Sequence, residues 1–126
     1  MSDINLFNTL SRKKEKFVPL NKENITLYAC GPTVYNDPHV GNARSLVVFD
    51  LLFRVLQEKY GNKKVTYVRN ITDIDDKIIE ISKKTGKPIK QVTADVTKVF
   101  HENCKDLNCL PPTKEPKATE HIKGMI

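Results

Sequence analysis

The sequence predicts an α/β protein: the first half of a Rossmann-like, parallel-sheet nucleotide-binding domain, truncated before the second half. Three observations carry this. "ITLYAC" alternates apolar and polar residues; apolar residues then recur at helical spacing from Ala43 to Tyr60; a β-branched run, "VTYVRNI", follows. Strand, helix, strand in that order is the βαβ unit, because parallel neighbours need a long crossover between them.

The elements follow in chain order. Ile4 to Leu10 is a short strand with Ile4 and Leu6 on one face, and "SRKKEK" is a basic loop, either a solvated turn or a contact for an RNA backbone. The strand "ITLYAC" carries Ile25, Leu27 and Ala29 on one face and ends at Gly31-Pro32. In the following helix Leu46, Phe49, Phe53, Leu56 and Tyr60 form a stripe that Val48, Leu52 and Val55 widen, so it is expected to be buried over much of its surface, and Gly61-Asn62 closes it. Val65 to Ile71 is the second strand.

Thr72 with Asp75 has capping-box-like spacing and opens the next helix, whose Ile74, Ile78 and Ile81 face inward until Gly86 and Pro88 stop it. Pro88 also suits the first turn of a further helix marked by Ile89, Val92, Val96 and Val99, which "LPPTKEP" breaks. The last segment, "ATEHIKGMI", looks like a helix just beginning. Residues 1–112 are thus taken as one half-domain and 113–126 as the start of the following helix.

A chain of 126 residues suffices for one ordinary core. No apolar run is long enough to span a membrane, and "MSDINLFNTLSRKKEKF" lacks the apolar centre of a secretory signal. Cys30, Cys104 and Cys109 form an odd set without a metal-type pair, which points to a reducing, cytoplasmic setting. Cys104 and Cys109 are expected to be structural, the alternative being a metal role for Cys104 with His101 one helical turn away. The net charge of +6 fits a polyanionic partner such as nucleic acid or nucleotide phosphate, and equally an ordinary basic protein.

The chemistry concentrates in "LYACGPTVYNDPHVGNARS", the joint between strand and helix. In an open parallel sheet, ligands collect outside the C-terminal strand ends. A helix starting near Gly41 directs free N–H groups and its positive dipole end there, and Gly41 has no side chain to hold a phosphate off. His39 and Asn42 are hydrogen-bond donors for oxygens that gain charge during reaction. Neither the Walker loop nor the dinucleotide glycine fingerprint is present. Each residue also has a plain alternative: His39 as a surface loop residue, Cys30 as a small buried hydrophobe, Thr72 and Asp73 as helix caps.

The whole string, with "FD" and then "YVRNITDIDDKII" at this separation, resembles the cysteinyl-tRNA synthetase family of class I aminoacyl-tRNA synthetases. "LFNTLSRKKEKFVPL" and "EPKATEHI" are similar to that family's first strand and its approach to an inserted domain, so the resemblance covers essentially the whole chain. His39-Val40-Gly41-Asn42 matches the signature usually written His-Ile-Gly-His, with Asn42 departing at the last position; Asn42 donates hydrogen bonds but carries no charge.

The resemblance implies ATP-dependent activation of L-cysteine to cysteinyl-adenylate and its transfer to tRNA(Cys), with Mg-ATP as substrate. His39 and Asn42 would be catalytic, and His39, Gly41 and Asn42 would bind ATP. Gly31, Thr33 and Thr72 would bind cysteine. Cys30 would be the first protein ligand of a zinc ion, one per full-length subunit, that grips the substrate thiolate and so separates cysteine from serine. A monomer is implied. A related ligase with an amino-sugar acceptor and a non-catalytic nucleotide- or RNA-binding module remain as alternatives. The family's later zinc ligands (a cysteine, a histidine and a glutamate), its Lys-Met-Ser-Lys-Ser loop and its helical anticodon-binding domain are not in this sequence. The chain is therefore expected to be an N-terminal part, inactive alone, with an uncovered sheet edge.

Overall fold

A computed structural model describes residues 3–126, and these open with a hairpin of β1 (Asn5–Asn8) and β2 (Lys13–Lys16), paired antiparallel with Phe7 opposite Lys14. Within the basic run predicted as a loop, Lys13–Lys16 is therefore itself a strand, and Ser11 and Arg12 remain in the turn. Its turn is built locally: Asn8 Oδ1 accepts the Leu10 N–H at 3.0 Å, and Arg12 takes a left-handed conformation at φ 56°. Both faces of the hairpin meet solvent, so charged side chains are tolerated and no alternation marks it. Only its ends touch the core, through Ile4 and Phe17; Leu6, expected to share a face with Ile4, is exposed.

Two parallel strands follow, β3 (Ile25–Ala29) and β4 (Val65–Arg69), in register Ile25↔Val65 to Ala29↔Arg69. Helix α1 (Val40–Tyr60) connects them. The ladder has a third member. Lys114 N–H donates to Tyr67 O, Arg69 N–H to Lys114 O, Ile71 N–H to Pro116 O and Ala118 N–H to Ile71 O. Residues 114–118 thus run as an extended chain parallel to β4, and Pro116 at this outer position has no N–H to contribute. The final helix, α4 (Ile122–Met125), starts later than the sequence predicts, after the short turn Ala118–Glu120. Among the described residues β3 pairs only with β4, leaving its other edge open.

Every second residue of the sheet faces one core. Ile25, Ala29, Val65 and Tyr67 are buried with Phe53 and Leu56 of α1, while Thr26 and Tyr28 on the opposite face are exposed. Phe53 lies against Tyr67 with ring centroids 5.1 Å apart. Ile25, Val65, Phe53 and Leu56 each contribute about 1.5–3 kcal/mol when removed from water. The second cluster sits at the C-terminal strand ends: Val34, Leu46, Ile71, Ile78, Phe100 and Cys104. It joins α1 to α2 (Asp76–Thr85) and α3 (Ile89–Asp106).

Several boundaries shift from prediction. Helix α1 starts at Val40 because His39 caps it, and Val48 is exposed, so the stripe is narrower than expected. Helix α2 is capped by Asp75, whose Oδ1 accepts the Lys77 N–H at 2.9 Å, and not by Thr72. Thr72 instead continues the sheet beyond β4, bridged to Thr33, and Ile74 is consequently turned out to solvent. No helix of the described residues is long and apolar enough to cross a membrane.

Candidate nucleotide and amino-acid site

The site is built where β3 ends. A side chain at position 31 would place its Cβ 1.5 Å from the Asn70 carbonyl oxygen, so only glycine lets the two strand ends approach this closely. The Gly31 N–H donates to Asn70 Oδ1 at 2.9 Å, and the Tyr28 hydroxyl donates to the same oxygen at 3.0 Å. Thr72 is held by its main chain: its N–H donates to Pro32 O at 3.0 Å, and its carbonyl accepts the Val34 N–H at 3.2 Å. Cys30 is exposed at this mouth, its Sγ 3.7 Å from the Gly31 carbonyl oxygen.

At the start of α1 a reciprocal cap fixes two side chains. His39 Nδ1 accepts the Gly41 N–H at 3.1 Å, and Asn42 Oδ1 accepts the His39 N–H at 3.0 Å. The consequences are chemical. With Nδ1 accepting, the neutral imidazole carries its proton on Nε2; with Oδ1 accepting, Asn42 presents its amide NH₂. Neither His39 Nε2 nor Asn42 Nδ2 has a hydrogen-bond partner among the described residues, so both remain available as donors. The Gly41 amide, expected to be free for phosphate, is instead occupied. The missing side chain at Gly41 admits the His39 ring, since a Cβ there would lie 2.9 Å from its Cε1.

Two adjoining cavities lie between these features. The smaller, about 60 Å³, touches Cys30, Asn42 and Arg69; the larger, about 280 Å³, is walled by the 31–39 loop and includes Thr33 and His39. They share Gly31, Pro32, Asn42 and Phe100. Asn42 therefore faces both, while Cys30 borders one and His39 the other. Thr72 lines neither. A further cavity of about 930 Å³ lies along α3 with Asp73, His101, Lys117 and Thr119, and is lined by none of Cys30, Gly31, Thr33, His39, Gly41, Asn42 and Thr72.

Sequence reasoning passed over Arg69 and Asn70. Arg69 is 4 % exposed beneath the smaller cavity. Its Nε and Nη2 reach Glu115 Oε1 at 3.2 and 2.8 Å, and its guanidinium lies 4.9 Å from the Phe100 ring centre. Burial alone would ease its proton off, but the hydrogen bond to Glu115, with the nearby thiol and carboxylate, holds the pKa above the ordinary arginine value. Asn70 directly follows β4, inside the stretch predicted as strand, where asparagine is disfavoured. Asp73 also differs from expectation: it caps no helix, but binds Thr119 N–H and Oγ1 at 3.0 and 2.6 Å.

Zinc needs about three or four donors. Among the described residues no group of three His, Cys, Asp or Glu side chains stands together, so Cys30 by itself does not make a zinc site. In the alternative pair, His101 Nε2 lies 2.6 Å from Glu115 Oε2, and Cys104 is buried in the second core, its thiol pKa pushed up by burial.

Comparison with known proteins gives a consistent result. Residues 16–126 match the family model described as the tRNA synthetases class I (C) catalytic domain. The chain is 57% identical over 124 residues to a protein named cysteine–tRNA ligase from Pelagibacter ubique, covering 98% of this chain and 27% of that protein. It is 58% identical over 123 residues to the cysteine–tRNA ligase of Rickettsia bellii, with 98% and 27% covered, and 58% identical over 121 residues to that of Orientia tsutsugamushi, with 96% and 25% covered. The chain thus spans about a quarter of the length of the curated relatives it matches.

Proposed function

The chain belongs to the class I tRNA synthetase (C) catalytic-domain family, and on that premise we propose that it forms the N-terminal, nucleotide-binding part of a cytoplasmic, monomeric ligase that joins L-cysteine to tRNA(Cys) at the expense of ATP. Residues 1–112 would supply the first half of the catalytic domain and 113–126 the approach to the next. The observation that carries this is the cap at α1, which leaves His39 Nε2 and Asn42 Nδ2 without partners among the described residues beside a cavity of about 280 Å³.

In the first step the cysteine carboxylate attacks the α-phosphate of Mg-ATP, the bond to the leaving pyrophosphate breaks, and cysteinyl-adenylate remains. Negative charge shifts onto the phosphate oxygens as this happens. Donors already held in place stabilise that charge without reorganising, which is worth about 2.7–4 kcal/mol for each in comparable sites. His39 Nε2 and Asn42 Nδ2 take this role, and Gly41 borders the nucleotide with its amide kept on His39 Nδ1. In the second step a ribose hydroxyl of the terminal tRNA adenosine attacks the adenylate carbonyl and AMP departs; no covalent enzyme intermediate is formed.

Gly31, Thr33 and Thr72 would border the amino acid, a role supported by the Thr33–Thr72 bridge that brings the two loops together. Cys30 would contribute one thiolate to a zinc site completed by ligands outside this chain. Such an ion, when bound, favours a thiol substrate over a hydroxyl one. Incubating the full-length protein with ATP and labelled cysteine in the presence of tRNA or an amino-sugar tests the acceptor. Label on tRNA is expected; label on the sugar alone would contradict it.

A further inference from the structure

We propose that Asn70 is a positioning residue that turns the Thr72 hydroxyl proton toward the carboxylate of the bound amino acid, a role that rests on the ligase function proposed above. The orientation of the Asn70 amide follows from its partners. A backbone N–H has no acceptor capacity, so the side-chain atom facing Gly31 N at 2.9 Å is the oxygen. The Tyr28 hydroxyl, 3.0 Å away, donates to the same atom. The opposite end is then the NH₂ group, and it lies 3.1 Å from Thr72 Oγ1. Because NH₂ only donates, that hydroxyl oxygen accepts, and its own proton is turned elsewhere.

Nothing else claims that proton. The Thr72 N–H and carbonyl are both taken up by the 32–34 loop, and no acceptor lies within hydrogen-bond distance of the hydroxyl among the described residues. Thr72 is only half-buried, so the proton is accessible to a ligand. A carboxylate accepts such a proton; an ammonium group does not. Asn70 thereby ties the spacing of the strand ends, through Gly31, to the polarity of the hydroxyl beside them.

The test uses the full-length protein and cysteine-dependent ATP–pyrophosphate exchange, with melting temperature measured alongside. Asn70→Asp keeps the acceptor for Gly31 and Tyr28 but replaces the NH₂ by an oxygen, which draws the Thr72 proton inward. Asn70→Asp and Thr72→Val are each expected to raise KM for cysteine about tenfold or more, with KM for ATP within about twofold. Thr72→Ser is expected to behave as the parent, and the double variant Asn70→Asp/Thr72→Val no worse than Thr72→Val. An unchanged KM for cysteine in Thr72→Val overturns the role of Thr72 even if Asn70→Asp fails to fold, and a double variant showing the product of the two single effects overturns the coupling. No cysteine-dependent exchange in the parent removes the ligase function and this role together; exchange with an unaffected Thr72→Val removes this role alone.

Discussion

His39 and Asn42 hold each other across the first turn of α1, the asparagine oxygen on the histidine N–H at 3.0 Å and the histidine ring folded back onto the Gly41 amide. The cap is structural, but it also decides which atoms of the two side chains are left for a ligand. Structure and chemistry at this turn are therefore separable by substitution.

Asn42→Asp retains an oxygen for the His39 N–H and places a negative charge near the helix N-terminus, which suits the dipole. It removes the NH₂ donor. The expected result is an unchanged or slightly raised melting temperature with exchange activity lower by roughly 10²-fold. Activity retained in this variant would show that the amide donor is not used.

Gly31→Ala is expected to be severely destabilising, because its Cβ would meet the Asn70 carbonyl oxygen at 1.5 Å and backbone must move. Overpacking of this kind costs about 1–3 kcal/mol, and more where no side chain is free to yield. Gly124→Ala has nothing within 4 Å of its Cβ and serves as the control. Urea unfolding of both variants measures the difference.

Removing the carboxylate at position 115 strands the buried Arg69 charge. Glu115→Ala is expected to cost about 3–5 kcal/mol, whereas Arg69→Met with Glu115→Gln, which removes the charges together, recovers most of it. His101→Ala, which loses only an exposed partner of Glu115, is expected to cost less. A double-mutant cycle in chemical denaturation reads the coupling directly.

Burial pushes the Tyr67 phenol and the Cys104 thiol above their ordinary values of 10.0 and 9.0. Both groups are neutral in the folded state, and the unfolded chain releases their protons at lower pH. Their contribution is fully present below the unfolded values and is lost as pH climbs through the folded ones. Melting temperature should therefore fall above about pH 9, more gently in Tyr67→Phe and Cys104→Ala than in the parent. A parallel decline in all three would assign the loss to other groups.

The parts of the fold with strong periodicity were legible in advance. Helix α1 and strands β3 and β4 bury one residue set each, and that set shows as spacing. Strand β2 was not legible, since "KKEK" buries nothing and its strand character comes only from pairing with β1. The same limit explains the misplaced cap. Thr72 and Asp75 both satisfy a capping pattern locally, and only the 32–34 loop, which occupies the Thr72 main chain, decides between them. At the site, His39, Gly41 and Asn42 were identifiable as a group, but the closed hydrogen bond between His39 and Gly41 was not. Arg69 and Asn70 were hidden for a related reason: polar residues in a strand look solvent-facing until their partners, Glu115 and Gly31, come from distant segments.

The proposed function requires the end of β3 and the tip of α1 to border one site where cysteine is activated with ATP. ATP–pyrophosphate exchange by the full-length protein, with cysteine or serine as the amino acid and with His39→Ala beside the parent, tests it most directly. Exchange that requires cysteine, fails with serine and drops by about 10²–10³-fold in His39→Ala is the predicted result. Exchange absent from the parent, or undiminished without the imidazole, would contradict it.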